Sequence, residues 1–192
     1  MPHRIEATWR RIETWLAVNA PKIHEELRPP ASAALIEQTE AALDARLPGE
    51  VRALYRLHDG QARHGLGLLG GWTWLDLATV VSEWKIWKGL FDSGTFGAND
   101  GGDPGPGVQG NWWNPRWIPL TYGGAGDHDC VDLAPAEGGA DGQIIRMWHD
   151  MEGRSLVASS LHAWLERIAG ELESGERVYD EEYGALLRPD EL

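Results

Sequence analysis

Cysteine is almost absent from this chain, since Cys130 is the single one among 192 residues. An internal disulfide is therefore excluded, and the sequence does not fit the small disulfide-stapled secreted domains. No charged-then-apolar leader opens the chain, and no apolar run approaches the roughly 20 residues needed to cross a bilayer. We therefore expect a cytoplasmic protein without a transmembrane segment.

Basic side chains are also scarce, since 17 lysines and arginines stand against 30 aspartates and glutamates and give a formal net charge of −13. Such a field repels phosphate backbones and anionic membrane surfaces, so we exclude nucleic acid and membranes as partners. It speeds encounter with a basic protein, although an acidic surface also serves solubility alone. Composition alone therefore favours a surface that serves solubility over one that attracts a basic protein, and it leaves the oligomeric state open.

Phenylalanine occurs twice, whereas tryptophan occurs eleven times. A buried tryptophan needs a partner for its N–H, so some of these rings are expected at the boundary between core and surface. With 42% hydrophobic composition, the chain has material for one sizeable core. We predict a single domain over residues 1–173, followed by an acidic tail over residues 174–192 that covers an edge or frays.

Apolar residues at helical spacing predict five helices. The first covers residues 5–19, and the last covers residues 160–173. Ser32 and Asp76 are suited to cap the second and the fourth, and Pro48 is suited to open the third.

Strand patterns lie mainly in the second half of the chain, at residues 117–120, 129–133, 143–148 and 155–158, with a turn and one or two strands at 65–75. Consecutive strands on short turns usually pair antiparallel. The order of helices, sheet and helix indicates an α+β fold rather than alternating βαβ units. Residues 92–110 contain seven glycines and two prolines, so we predict a loop that is mobile, functional or inserted.

Two glycine-rich stretches resemble nucleotide-binding loops without their context. Residues 65–70 match GxGxxG, but a helix is predicted before them and a strand after them, the reverse of a dinucleotide site. Residues 123–126 lack the Lys and Ser/Thr of a P-loop. Both are interpreted as ordinary turns, and no cofactor is predicted.

A group of acids and histidines offers metal-ligand chemistry at Asp127, His128, Asp129, His149 and Asp150. Successive residues of a strand point to opposite faces, so His128 cannot converge with the acids on either side of it if the strand begins there. We favour turn and capping roles for these side chains and predict no metal site. A metal-dependent or glycoside hydrolase stays open as an alternative.

Nucleophilic catalysis has little support in the sequence. No GxSxG motif is present, and Cys130 lies inside an apolar strand pattern, where burial raises the thiol pKa and makes it inert. No catalytic residue is predicted.

Two adjacent tryptophans differ from the others. Most tryptophans lie on helical apolar stripes and are predicted to be core residues, but Trp112 and Trp113 follow the glycine-rich segment. On an extended chain both cannot face inward. At least one is therefore a candidate exposed anchor.

An ordered series of short motifs resembles the SMI1/KNR4 family of the SUKH superfamily. The resemblance extends from the first helix to about Glu173, and it rests on Leu47-Pro48, His58-Asp59-Gly60-Gln61, Trp117-Ile118-Pro119-Leu120, Gly124-Ala125-Gly126-Asp127, Cys130-Val131-Asp132-Leu133, Gln143-Ile144-Ile145, Trp148-His149-Asp150 and Trp164-Leu165. The segment 92–110 departs from the family pattern. The resemblance implies an α+β domain with a central, mainly antiparallel sheet flanked by helices, and a role without catalysis.

The same resemblance implies two functions. Bacterial proteins that look like this are often immunity proteins that neutralise a cognate toxin, whereas fungal relatives regulate cell-wall synthesis as interaction scaffolds. The acidic charge favours the first, because nuclease toxins need basic clefts. We therefore predict a non-catalytic immunity protein, with a regulatory scaffold as the alternative. The predicted partner-binding residues are Trp112, Trp113, Asp127, Asp129 and Asp150.

Overall fold

A computed structural model describes residues 2–62, 67–97 and 101–188. Within these ranges the helices are α1 (Pro2–Asn19), α2 (Pro21–Glu25), α3 (Ala33–Leu43), α4 (Gly49–Tyr55), α5 (Leu77–Asp92) and α6 (Leu161–Ser174). None of the helices in these ranges is long and apolar enough to span a membrane.

The helix starts follow the predicted capping chemistry. The Ser32 side chain accepts a hydrogen bond from the Leu35 backbone N–H at 3.1 Å, and Asp76 accepts one from Thr79 at 3.0 Å. Each side-chain oxygen satisfies a backbone donor that the first helical turn leaves without a partner. Both predicted caps are therefore confirmed.

In the described part of the chain, nine strands form one main sheet and two small ones. They are β1 (Thr73–Trp74), β2 (Asp103–Pro104), β3 (Trp117–Pro119), β4 (Thr121–Tyr122), β5 (His128–Asp132), β6 (Gln143–Met147), β7 (Gly153–Ala158), β8 (Val178–Asp180) and β9 (Ala185–Leu187). The main sheet has the order β2-β7-β6-β5-β3, in which the β2–β7 pair is parallel and the other pairs are antiparallel. The predicted α+β class with a mainly antiparallel sheet is confirmed.

Strand β5 lies at the centre of the core. All five of its residues are buried, and it pairs with β3 on one side and β6 on the other. Helix α6 packs on β6 and β7, and α5 packs on β3. Cys130 is buried in this strand, and burial raises the pKa of its thiol well above the usual value, which agrees with the prediction of an inert core cysteine.

The glycine pattern at residues 65–70 falls partly outside the described residues, which omit Gly65 and Leu66. Beyond it, Leu69 and Trp72 exchange two backbone hydrogen bonds of 3.0 Å across a turn. Strand β1 follows at once. The strand-then-helix arrangement of a dinucleotide site is therefore not found in the described part of this stretch.

The predicted loop at 92–110 contains more structure than its composition indicated. Helix α5 continues through Asp92, and β2 adds a short parallel strand beside β7. The side chain of Val108 is buried, and the Gly107 carbonyl accepts a hydrogen bond of 2.8 Å from Gln143. The described part from residue 101 onward is therefore fixed to the sheet, because sheet pairing and a core anchor hold it at both ends.

The acidic tail is also folded on the domain as far as residue 188. Strands β8 and β9 pair antiparallel, and Leu186 is fully buried. Glu171 of α6 is bonded by Arg177 through Nε at 2.9 Å and by Arg188. The described part of the segment thus covers part of the core.

A buried ion pair joins the two central strands. Arg146 donates two hydrogen bonds of 2.9 Å to Asp129, whose side chain is fully buried, and its guanidinium lies 4.1 Å from the ring centre of Trp72. Burial raises the pKa of Asp129, and Arg146 offsets only part of that effect. Because desolvation disfavours the ionised carboxylate, the Asp129 charge depends on Arg146 for its stabilisation.

Removal of the Arg146 cation should destabilise the fold. We expect Arg146→Met to lower the free energy of unfolding by about 3–5 kcal/mol, because it leaves Asp129 buried without a counter-charge. Urea denaturation measures this change. In the matched control, Arg11→Met breaks exposed pairs with Glu166 and Glu173 and should cost about 0–1 kcal/mol. Equal losses in the two variants would contradict the assignment.

Candidate functional site

An open groove runs between α5, the turn that follows it and the β4 region. We call it the α5 groove. It has a volume of about 800 Å³ and is lined by Glu83, Ile86, Trp87, Leu90, Thr95, Phe96, Trp112, Tyr122, Ala125, Gly126 and His149. Most of the surface within it is apolar. A protein leaves such a surface open to water at a cost in free energy, which is why exposed apolar patches often mark interaction sites.

Helix α5 carries apolar residues on two faces. Its inner face buries Val80 and Trp84 against the domain. Ile86 and Leu90 lie on the groove side, where their exposed fractions are 57% and 37%. They are four residues apart, so they form a short stripe on one side of the helix. This second stripe forms one wall of the groove.

An aromatic cluster supports the floor. Trp87 stacks on Trp113 with ring centres 6.4 Å apart and on Phe96 at 5.9 Å. Phe91 meets Trp113 at 5.8 Å. Packed rings change shape little, because interiors are as dense as organic crystals. The floor is therefore a preformed surface.

Trp112 is held at one end of the groove by a buried arginine. Arg154 is fully buried, its Nε and Nη2 donate to the Trp112 carbonyl, and its guanidinium lies 5.2 Å from the centre of the Trp112 ring. Burial lowers the pKa of Arg154 to about 10, so it stays charged at neutral pH. A cation over the ring and a bond to the backbone together fix where Trp112 lies.

Acids border the groove beside His149. Asp127 Oδ1 accepts from the His149 backbone N–H at 2.8 Å and lies 2.9 Å from the ring Nδ1. Asp150 Oδ2 is 3.7 Å from the ring Nε2. The hydrogen bond with Asp127 raises the pKa of His149, to which the Asp150 charge also contributes. This edge of the groove is therefore negative, and we call these three residues the acidic rim.

The predicted partner-binding residues divide into two groups. Trp112, Asp127 and Asp150 lie at the groove or on its acidic rim. Trp113 and Asp129 are buried, the first in the aromatic cluster and the second in the pair with Arg146. A partner cannot reach these two side chains in this structure, and we leave them out of the proposed binding surface.

The candidate metal ligands do not all converge. Ligand atoms of Asp127, His149 and Asp150 lie within 4.8 Å of one another. His128 is separate and buried, with Nδ1 2.6 Å from the Thr121 carbonyl, and burial lowers its pKa to about 4. The two nitrogens of His149 each face a different carboxylate, so the ring bridges the acids instead of sharing one point with them. We assign no metal to this cluster.

Three groove residues were missed by the sequence analysis. Ile86, Leu90 and Tyr122 line the groove and are exposed large apolar side chains. Ile86 and Leu90 could have been found from the sequence. They are apolar, four residues apart and beside an already complete helical stripe, which indicates a second apolar face of the helix. Tyr122 is the second residue of the short strand β4 and has no comparable pattern.

Comparison with known proteins places this geometry in a family. The family model described as SMI1 / KNR4 family (SUKH-1) matches residues 30–167. The chain belongs to the SMI1/KNR4 family. The match extends from before α3 to the first half of α6 and therefore includes the α5 groove and the main sheet. The resemblance predicted from the sequence motifs is confirmed.

Several curated fungal proteins are similar to this SMI1/KNR4 chain. The cell wall biosynthesis/cell cycle regulator smi1 of Schizosaccharomyces pombe is 30% identical over 97% of the chain and 40% of its own length. The glucan synthesis regulatory protein of Neurospora crassa is 27% identical over 95% and 41%, and the cell wall assembly regulator SMI1 of Saccharomyces cerevisiae is 27% identical over 87% and 40%. The chain thus spans about two fifths of these relatives, which are named as regulators and not as enzymes.

The acidic rim should show a defined response to pH. We expect nuclear magnetic resonance titration to give His149 a pKa above 6.5, and Asp127→Asn to lower it, because the carboxylate stabilises the imidazolium. A pKa raised by folding adds stability below about pH 6.5 that is lost as the pH rises through the folded value.

Denaturation of the two proteins tests the sign of this contribution. Asp127→Asn should destabilise the chain more at about pH 5.5 than at about pH 8.5. A larger effect at the higher pH would contradict it.

Proposed function

We propose that this chain is a non-catalytic protein-binding domain of the regulatory type, and that the α5 groove is its binding surface. One observation carries the proposal: the groove combines exposed apolar side chains on a rigid aromatic floor with a border of carboxylates. Such a surface suits an apolar segment, whose side chains displace water from the groove. Among the described residues that line it, no nucleophile is paired with a base.

The acids determine the chemistry of the partner. Glu83 lies on one side of the groove, and Asp127 and Asp150 lie on the acidic rim. The molecule as a whole carries a charge of −13. A partner segment with one or two basic residues beside its apolar anchors would complement this charge, and the field would speed its association at low salt.

The similar proteins favour regulation over toxin neutralisation. The fungal relatives named above are regulators of cell-wall or glucan synthesis. Each is similar to most of this chain, which corresponds to about two fifths of the relative. The immunity function predicted from the sequence rests on the family resemblance together with the acidic charge, which suits a basic toxin, and none of the relatives named above is described as an immunity protein. We therefore rank the regulatory role first and the immunity role second. The cytoplasmic location remains a prediction.

Selection from a displayed peptide library tests the groove. We expect selected peptides to combine apolar and basic residues, and Ile86→Asp or Leu90→Asp to weaken binding at least about tenfold, since each places a charge in the apolar contact. Val18→Asp is the matched control, because Val18 is 76% exposed on α1 and lies outside the groove. All three variants should keep the stability of the parent within about 0.5 kcal/mol.

Binding that is equally strong in the groove variants and the control would refute the groove assignment. Two cellular assays then separate the two roles. A chimera in which this chain replaces the matching segment of the S. cerevisiae regulator should retain cell-wall integrity if the role is regulatory. Protection of cells from a toxin encoded by a neighbouring gene would instead support immunity and reverse the ranking.

A further inference from the structure

A second hollow lies beside the α5 groove, between the β1–β4 pair and the turn that joins β8 to β9. It has a volume of about 270 Å³. Half of its lining residues are glycines, namely Gly67, Gly71, Gly123, Gly124 and Gly184. We call this hollow the glycine pocket. A glycine contributes only main-chain atoms to a surface, so the lining offers peptide N–H and carbonyl groups to a ligand.

The walls of the glycine pocket are fixed by the rest of the fold. Strands β1 and β4 pair with each other. The Gly67 N–H donates to the Gly184 carbonyl at 3.2 Å, and the Gly67 carbonyl accepts from the Leu186 N–H at 2.9 Å. The ring of Trp72 is held by the Arg146 guanidinium, which lies 4.1 Å from its centre. A ligand therefore meets a preformed shape, which lowers the cost of ordering on binding.

The glycine pocket and the α5 groove share one wall. Tyr122 lines both hollows. The turn that follows it divides between them, since Gly123 and Gly124 line the pocket, whereas Ala125 and Gly126 line the groove. The two hollows thus lie on either side of one ridge that begins at an exposed tyrosine. A segment that fills the groove can cross this ridge and continue into the pocket.

An aromatic ring and two acids border the far side of the glycine pocket. Tyr183 lines the pocket and is 64% exposed at the β8–β9 turn. Glu181 and Glu182 precede it in the same turn, and both are exposed. Among the described residues that line the two hollows, none is a lysine or an arginine. Carboxylates therefore lie at both ends of the combined surface, which complements a segment with basic residues.

We propose that the partner segment that fills the α5 groove continues over Tyr122 into the glycine pocket as an extended chain, and that it places a basic residue opposite Glu181 and Glu182. This inference rests on the proposed function. A helix bonds its own N–H and carbonyl groups internally, whereas an extended chain leaves them open to a partner. Only the extended form can use the main-chain groups that the glycines offer. The Tyr183 ring then covers an apolar side chain of the segment.

Peptides of about 15 residues from the displayed library are the probe, since they reach about 50 Å when extended. Each selected peptide is compared with versions shortened in stages from either end. In two-dimensional amide spectra, the full peptide should shift the resonances of Gly71, Gly124 and Tyr183. Shortening from one end should abolish these shifts, keep those of Ile86 and Leu90, and weaken binding at least about tenfold.

Tyr183→Ala should weaken the full peptide about tenfold and leave the shortened peptide unaffected. Val18→Ala is the matched control, because Val18 is 76% exposed and lies outside both hollows. Glu182→Gln should slow association of the full peptide at low salt, whereas Glu176→Gln, at an exposed acid of the same tail outside both hollows, should not. Thermal denaturation of each variant shows that the fold is retained.

Two failures are distinguishable. Peptides that lose affinity in Ile86→Asp but bind Tyr183→Ala as tightly as Val18→Ala overturn the extension into the glycine pocket and leave the α5 groove as the binding surface. Full and shortened peptides that bind equally well lead to the same conclusion. Peptides that keep their affinity in Ile86→Asp refute the groove, and the extension is refuted with it.

Discussion

The fold depends on the complete burial of β5. A strand with neighbours on both sides and no residue exposed must satisfy every polar group internally, yet it carries Asp129 and Asp132. Asp129 is matched by Arg146, and Asp132 by the amide of Gln143, which also bonds to the Gly107 carbonyl. These partners fix the register of β5 with β6, because a shift by one residue would leave buried charges unpaired.

Charge is divided between the surface and a few internal positions. The acids lie mostly on the surface, whereas several arginines bond one segment of the chain to another. Arg154 is enclosed and bonded to backbone carbonyls, which sets the position of Trp112 at the groove. Arg177 bonds both Glu171 and the Leu186 carbonyl, which attaches the tail to α6. Although the chain has few cations, several of its arginines therefore make planar hydrogen bonds that hold surface segments in place.

The sequence predicted the elements better than it predicted the surface. Caps and strand positions depend on local chemistry, and Ser32, Asp76 and the four strands that match β3, β5, β6 and β7 were identified correctly within a residue or two. The short strands β2, β4, β8 and β9 were not predicted. Burial depends on tertiary packing. Trp112 and Trp113 are adjacent and chemically identical, and only the position of α5 decides that the second is covered. The partner of Asp129 lies 17 residues away, so no local pattern marked that carboxylate as internal.

Strand β2 has a consequence for the behaviour of the protein in solution. An uncovered strand edge presents a row of hydrogen-bonding groups to which other chains add. Beside β7, the Asp103 N–H bonds to the carbonyl of Glu152, just before that strand, and the Gly105 N–H bonds to the carbonyl of Arg154 within it. The residue between these two donors is Pro104. Proline has no N–H to offer at that position. The glycine-rich segment thus ends the sheet with a strand that has no N–H donor at Pro104. This disfavours self-association through that edge.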